Sequence, residues 1–140
     1  MYKRQVERVA EGFGQPNGIA FSPDYETLYV TDSVEDLITA FPVDESGKLG
    51  EARVFYDPKA LFGPVAKQAT DGIAVDAAGN VYTTGRQRVT VLDPSGRLVA
   101  AVDVGEKTAN VAFGGRDNKT LFITSRTTVR KVDLLIPGAW

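Results

Sequence analysis

Three polar residues stand just ahead of short apolar runs: Asn17 in Pro16-Asn17-Gly18-Ile19-Ala20-Phe21, Asp71 in Thr70-Asp71-Gly72-Ile73-Ala74-Val75, and Asn110 in Ala109-Asn110-Val111-Ala112-Phe113. The chemistry open to them is narrow, because the 140 residues include no Cys and no His. Thiolate nucleophiles, disulfides, Ser-His-Asp catalysis, imidazole metal sites and Cys-ligated zinc are all excluded. What remains is carboxylate, amide, hydroxyl, phenol and cationic groups, or a bound cation. Asn17 and Asp71 are also sound turn residues, able to bond their own backbone and cap a strand. Their residue types alone do not choose between these roles.

The elements that must position them repeat. Each copy reads as a polar residue, a short apolar strand, a tight turn and a second strand rich in aromatic and β-branched residues. The second strands are Thr27–Asp32, then 81–84 and 121–124. Ser22-Pro23-Asp24 and Gly79-Asn80 supply the first two turns. Further strands are expected at 37–43, 52–56, 88–92, 98–104 and 129–132. Asp44-Glu45-Ser46-Gly47 and Asp93-Pro94-Ser95-Gly96 join neighbours as hairpins, the latter with type I preferences. Residues 57–70 break the rhythm as a loop, with one helical turn expected at 59–62. Residues 6–12 read as a stray strand with no sheet of its own.

The unit is therefore four short antiparallel strands repeated at about 40 to 55 residues, the spacing of propeller blades. The fold class is all-β, a partial β-propeller of about three four-stranded antiparallel blades. Three blades leave two blade faces uncovered, so the chain reads as part of a ring. Tyr29, Tyr82 and Phe122 recur at equivalent places and are expected as core between blades.

The remaining bounds are broad. The length suits one domain, and a net charge of −2 argues against a nucleic-acid partner, which needs a basic face. No run approaches the roughly 20 apolar residues that span a bilayer. No signal pattern directs export in these residues; the cytoplasm is favoured, any N-terminal signal being expected in the missing part, and the compartment stays open. Met1-Tyr2-Lys3-Arg4-Gln5 looks foreign and resembles a translated sequencing adapter. On that reading residues 1–5 are a non-native leader, residues 6–140 the propeller domain, and the true N-terminal part is missing.

The motifs Pro16-Asn17-Gly18-Ile19-Ala20-Phe21-Ser22-Pro23-Asp24, Leu28-Tyr29-Val30-Thr31-Asp32, Asp71-Gly72-Ile73-Ala74-Val75-Asp76 and Asn110-Val111-Ala112-Phe113-Gly114-Gly115 occur in one order and spacing. In that set the chain resembles the SMP-30/gluconolactonase/luciferin-regenerating family, and specifically its C-terminal half. The resemblance implies a six-bladed propeller that binds one divalent cation in its channel and hydrolyses lactones or related esters. It implies Asn17 and Asp71 as metal ligands. Such an amide and carboxylate pair suits Ca²⁺ first, with Mg²⁺, Zn²⁺ or Mn²⁺ tolerated. The ion would polarise a lactone carbonyl and acidify water, and Asp71, as ligand or proton acceptor, would activate that water.

Asn110 is expected to face the same channel without being a ligand. Asp32 and Ser33 either line the pocket, bond to the ligands, or simply end a strand. The family's third ligand, a Glu in its first blade, has no match here, because Glu7 and Glu11 fall in the wrong blade. Half the pocket is absent too, so enzyme activity in the chain by itself is open. Arg86 and Arg88 read as solvated surface. The expected partner is a small sugar lactone or related ester, together with the missing half of the propeller. Two alternatives stand beside this one. The chain could be a non-catalytic propeller module, or two copies could assemble into one ring.

Overall fold

The computed structural model describes residues 5–63 and 68–140. Eleven strands and one short helix follow one another. The first sheet runs β1 (Pro16–Phe21), β2 (Thr27–Asp32), β3 (Leu37–Pro42) and β4 (Arg53–Tyr56) in sequence order. After helix α1 (Pro58–Phe62), the second runs β5 (Ile73–Val75), β6 (Val81–Gly85), β7 (Arg88–Leu92) and β8 (Leu98–Asp103). The third has three strands, β9 (Thr108–Gly114), β10 (Thr120–Ser125) and β11 (Val129–Asp133), with β9 at one edge. All pairings are antiparallel. These are three blades of a propeller, with β1, β5 and β9 side by side on the inside. Among the described residues no helix is long and apolar enough to cross a membrane.

The hairpins share one device. Asp44, Asp76 and Asp93 each accept, through Oδ1, the backbone N–H groups two and four residues on. Gly47, Gly79 and Gly96 then take the positive φ that closes each turn as a type I turn with a glycine bulge. Asp76 does more. It is fully buried and also accepts from Asn80 Nδ2 at 2.8 Å and from the Tyr82 hydroxyl at 3.1 Å. Asp57 caps α1 by accepting from Lys59 N.

Two apolar layers hold the blades together. Tyr29, Ile38, Phe55 and Tyr56 of the first blade meet Ile73, Val75, Val81 and Leu92 of the second. Tyr82, Val89 and Val91 of the second meet Val111, Leu121 and Ile123 of the third. Tyr29 and Tyr82 are buried as expected, whereas Phe122 is 40% exposed. It occupies the same register position, opposite Ala112 as Tyr82 is opposite Ala74 and Tyr29 opposite Ala20. What differs is the neighbour: no described sheet packs over that face of the third blade.

Residues 6–12 form no strand. Ala10 and, just beyond, Phe13 lie over Leu28, Val30 and Phe41, on a sheet face and not along a sheet edge. A ladder needs an edge, so their backbone has none to join. Residues 1–4 of the expected leader, and 64–67 of the long loop, lie outside the described residues. At the other end, Ala77 N donates to Pro137 O and Ala139 N to Val75 O, which ties the last residues back to the second blade. Trp140 then stacks on Tyr25 of the first, 5.3 Å between ring centroids.

Candidate functional site at the inner rim

Asn17 and Asp71 come together because the blades are latched at one end of the inner strands. Thr31 Oγ1 accepts from Gly18 N at 2.7 Å and donates to the Asp71 carbonyl at 2.5 Å. Thr84 does the same one blade on, accepting from Gly72 N at 2.8 Å and donating to the Ala109 carbonyl at 2.9 Å. A single hydroxyl thus bonds its own blade's inner strand to the next. The strands approach so closely that a Cβ on Gly18 would lie 2.5 Å from the Asp71 carbonyl. A Cβ on Gly72 would lie 2.5 Å from Asn110 Cα. Glycine is required here by proximity.

A second set of latches seats the residue before each rim position. Thr70 Oγ1 donates to the Asp32 carbonyl at 3.0 Å, and its N–H to the buried Asp36 carboxylate at 3.0 Å. Thr108 Oγ1 donates to the carbonyls of Gly85 and Arg88, at 2.6 and 3.0 Å. The turn between the second and third strands of one blade therefore sets where the next blade's inner strand begins.

On this frame Asn17 lies beside Asp71, close enough to favour its ionised carboxylate, and Asn17 Nδ2 donates to Ser33 Oγ at 3.1 Å. Ser33 Oγ passes the chain on to the Thr70 carbonyl at 2.8 Å. Asn17 is exposed and Asp71 half-buried. Burial raises the Asp71 pKa above the ordinary carboxylate value, while the Lys107 charge and the Asn17 amide oppose the rise.

The other sequence candidates separate from this pair. Asp32 is buried with its carboxylate turned to the backbone of the adjoining loops, accepting from the N–H groups of Gly14, Gln15, Val34 and Glu35. Asn110 does not share the position of Asn17 and Asp71. It pairs with Thr124 in register, and its N–H donates to Thr124 Oγ1, as Gly18 and Gly72 donate to Thr31 and Thr84. Asn110 is the counterpart of the glycines, and the third rim position belongs to Ala109. Matching the polar residues instead of the apolar strands displaces the repeat by one.

Among the described residues no group of three or more His, Cys, Asp and Glu could hold a metal ion. The donor set still fits a hard cation in part, because one carboxylate and one amide lie side by side at the rim. The Asn17 nitrogen is engaged with Ser33 Oγ, which leaves the amide oxygen as the donor atom for a cation. Beside the pair, Ala69, Arg86, Gln87, Arg88 and Lys107 line a cleft of about 450 Å³. Sequence reading had no signal for it, because its cations are brought together only by the turn between β6 and β7 and the approach to β9.

The family model described as "SMP-30/Gluconolactonase/LRE-like region" matches residues 1–127. The chain belongs to this family. Relatives include a 6-deoxy-6-sulfogluconolactonase of Pseudomonas putida, 32% identical over 85% of this chain and 40% of its own length. The pentonolactonase XacC of Haloferax volcanii is 31% identical over 86% of this chain and 41% of its own. Among solved structures, a gluconolactonase of Xanthomonas campestris superimposes with a TM-score of 0.77 at 30% identity, covering 94% of this chain and 40% of that one. Regucalcin of Agrobacterium tumefaciens, described as a calcium-binding protein, does so with 0.78 at 31%, covering 89% and 42%. The chain spans about two fifths of the length of these relatives.

Proposed function

We propose that the chain supplies one side of the active site of a divalent-metal-dependent sugar-lactone hydrolase, in a propeller whose ring further blades complete. The observation that carries this is the Asn17–Asp71 pair, two oxygen-bearing side chains on adjacent blades whose inner strands Thr31 latches together at the rim through Gly18 N and the Asp71 carbonyl. The relatives' names, a sulfogluconolactonase and a pentonolactonase, support a sugar lactone as substrate. Asn17 and Asp71 would hold the cation, Ca²⁺ by preference for hard oxygen. That cation supplies polarisation of the lactone carbonyl.

The residues of the chain do the rest. Asp71, with its pKa raised by burial, takes the proton of the attacking water as the water oxygen bonds to the carbonyl carbon. The ring C–O bond then breaks, and the proton passes to the departing ring oxygen, leaving the open hydroxy acid. Ser33 fixes the Asn17 amide and the Thr70 carbonyl that precedes Asp71.

The test is hydrolysis of D-glucono-1,5-lactone, followed by acid release, with Ca²⁺ affinity measured alongside. In the complete ring, Asp71→Ala abolishes turnover and weakens Ca²⁺ binding. The 140-residue chain as a monomer, with two ligands, shows little of either. Unchanged rates in Asp71→Ala would overturn the assignment.

A further inference from the structure

The cleft beside the rim gathers Arg86, Arg88 and Lys107, with Gln87 and Ala69. Among the described residues no carboxylate forms an ion pair with these cations: the pairs are Arg8–Glu11, Arg97–Asp93 and Arg130–Glu106. The nearest carboxylates in sequence are otherwise engaged: Glu106 by Arg130 at 2.8 Å, and Asp103 Oδ1 by Gly105 N at 2.9 Å. Asp71 N donates to Thr84 O at 3.1 Å, two residues before Arg86, and Gly72 N to Ala109 O at 2.9 Å, two residues after Lys107. The Lys107 charge acts on the Asp71 carboxylate. The cleft therefore opens next to the proposed reacting centre.

Its backbone is braced while its side chains are exposed. Arg86 N donates to Gln68 O at 2.7 Å, and Thr108 N to Arg86 O at 3.0 Å. Gln87 O accepts from Val104 N at 2.8 Å, and Lys107 O from Arg126 N at 3.1 Å. A fixed frame carrying guanidinium and ammonium groups is an arrangement that binds oxyanions, since guanidinium forks match them with paired hydrogen bonds and little is lost in ordering the loop. A volume of about 450 Å³ suits a hexose-sized group.

We infer that this cleft is an anion subsite, which receives a phosphate, sulfonate or carboxylate group carried by the lactone and selects negatively charged sugar lactones over neutral ones. The inference rests on the lactone-hydrolase reading for the identity of the substrate, but the subsite is measurable without it.

The experiment titrates the protein with 6-phosphogluconate, gluconate and inorganic phosphate at low and high salt. It uses wild type, the double variant Arg86→Gln/Arg88→Gln, and Lys107→Gln, each checked for folding by circular dichroism. Wild type should bind 6-phosphogluconate about tenfold or more tightly than gluconate, with the preference weakening in salt. Both variants should reduce that preference. In turnover by the complete ring, the ratio of kcat/KM for 6-phosphogluconolactone to that for gluconolactone should fall by about the same factor in the variants. Equal binding of the two sugar acids, or a preference untouched by the variants, overturns the subsite. Inorganic phosphate binding as tightly as 6-phosphogluconate overturns the lactone-borne assignment. In the complete ring, absence of all lactone hydrolysis with the 6-phosphogluconate preference intact overturns the hydrolase reading and leaves the subsite standing.

Discussion

Replacing Asp32 by Asn tests the frame under the site. The carboxylate is 1% exposed, and Oδ2 accepts from Gly14 N at 2.6 Å. Oδ1 accepts from Gln15 N at 3.0 Å, Val34 N at 3.0 Å and Glu35 N at 2.9 Å. Asparagine keeps one oxygen, so at best it serves the three bonds to Oδ1. Its NH₂ then meets the Gly14 N–H donor to donor. The loss is one charge-assisted hydrogen bond, worth about 1.5 to 3 kcal/mol, with weakening of the rest. We expect about 3 kcal/mol, a large fraction of a typical domain's 5 to 15.

The pH dependence supplies an independent sign. Burial pushes the Asp32 pKa up, but the four backbone N–H groups outweigh it and hold the carboxyl below its ordinary value. A depressed folded pKa means stability that is present above the unfolded value, about 3.9, and lost as pH falls through the folded one. Urea unfolding followed by circular dichroism at pH 7 should show a lower midpoint at unchanged m. The gap to wild type should narrow below about pH 4. A gap under about 1 kcal/mol at pH 7, or one equally large in strong acid, refutes the account.

Three further outcomes follow from the same geometry. Asp71→Asn should behave oppositely to Asp32→Asn. The folded pKa of Asp71 is raised by burial, so its ionised form is disfavoured on folding, and thermal melts should show the variant gaining on wild type as pH rises from about 3 to 7, by under about 1 kcal/mol for so open a site. Gly72→Ala should cost about 3 kcal/mol, because its Cβ falls 2.5 Å from Asn110 Cα and 2.8 Å from the Ala109 carbonyl; a melting temperature within a degree of wild type would contradict it. Thr108→Val keeps the shape but removes a hydroxyl that donates to Gly85 O and Arg88 O and accepts from Gly85 N. It should cost about 2 kcal/mol in chemical denaturation.

The blades were legible in the sequence because strand alternation and turn residues are local signals. Asp93-Pro94-Ser95-Gly96 announces its turn, and Thr27–Asp32 and Arg88–Leu92 appear as expected. The Asn17 and Asp71 positions were legible as well, through the motifs around them. What local pattern cannot carry is the neighbour. Residues 6–12 alternate weakly, yet only Ala10 of them packs on the first sheet, on its face and not along an edge, while Val6 and Val9 stay exposed. Phe122 has the residue type of core, but no described blade covers it. Asp32 looked available for the pocket, and only the fold reveals four backbone donors converging on it. Asn110 misled because its side chain resembles Asn17, while the backbone pairing with Thr124 places it with Gly18 and Gly72.

The seating of Thr70 on the Asp32 carbonyl and the Asp36 carboxylate has an evolutionary consequence. Asp71 follows Thr70 directly, so the position of a proposed reacting group is inherited from a loop of the preceding blade. Changes in the length or composition of 33–36 can retune the site without touching a residue that meets substrate. Lineages can then diverge in what the site accepts while every rim side chain stays the same, and comparison of rim residues alone would miss the divergence.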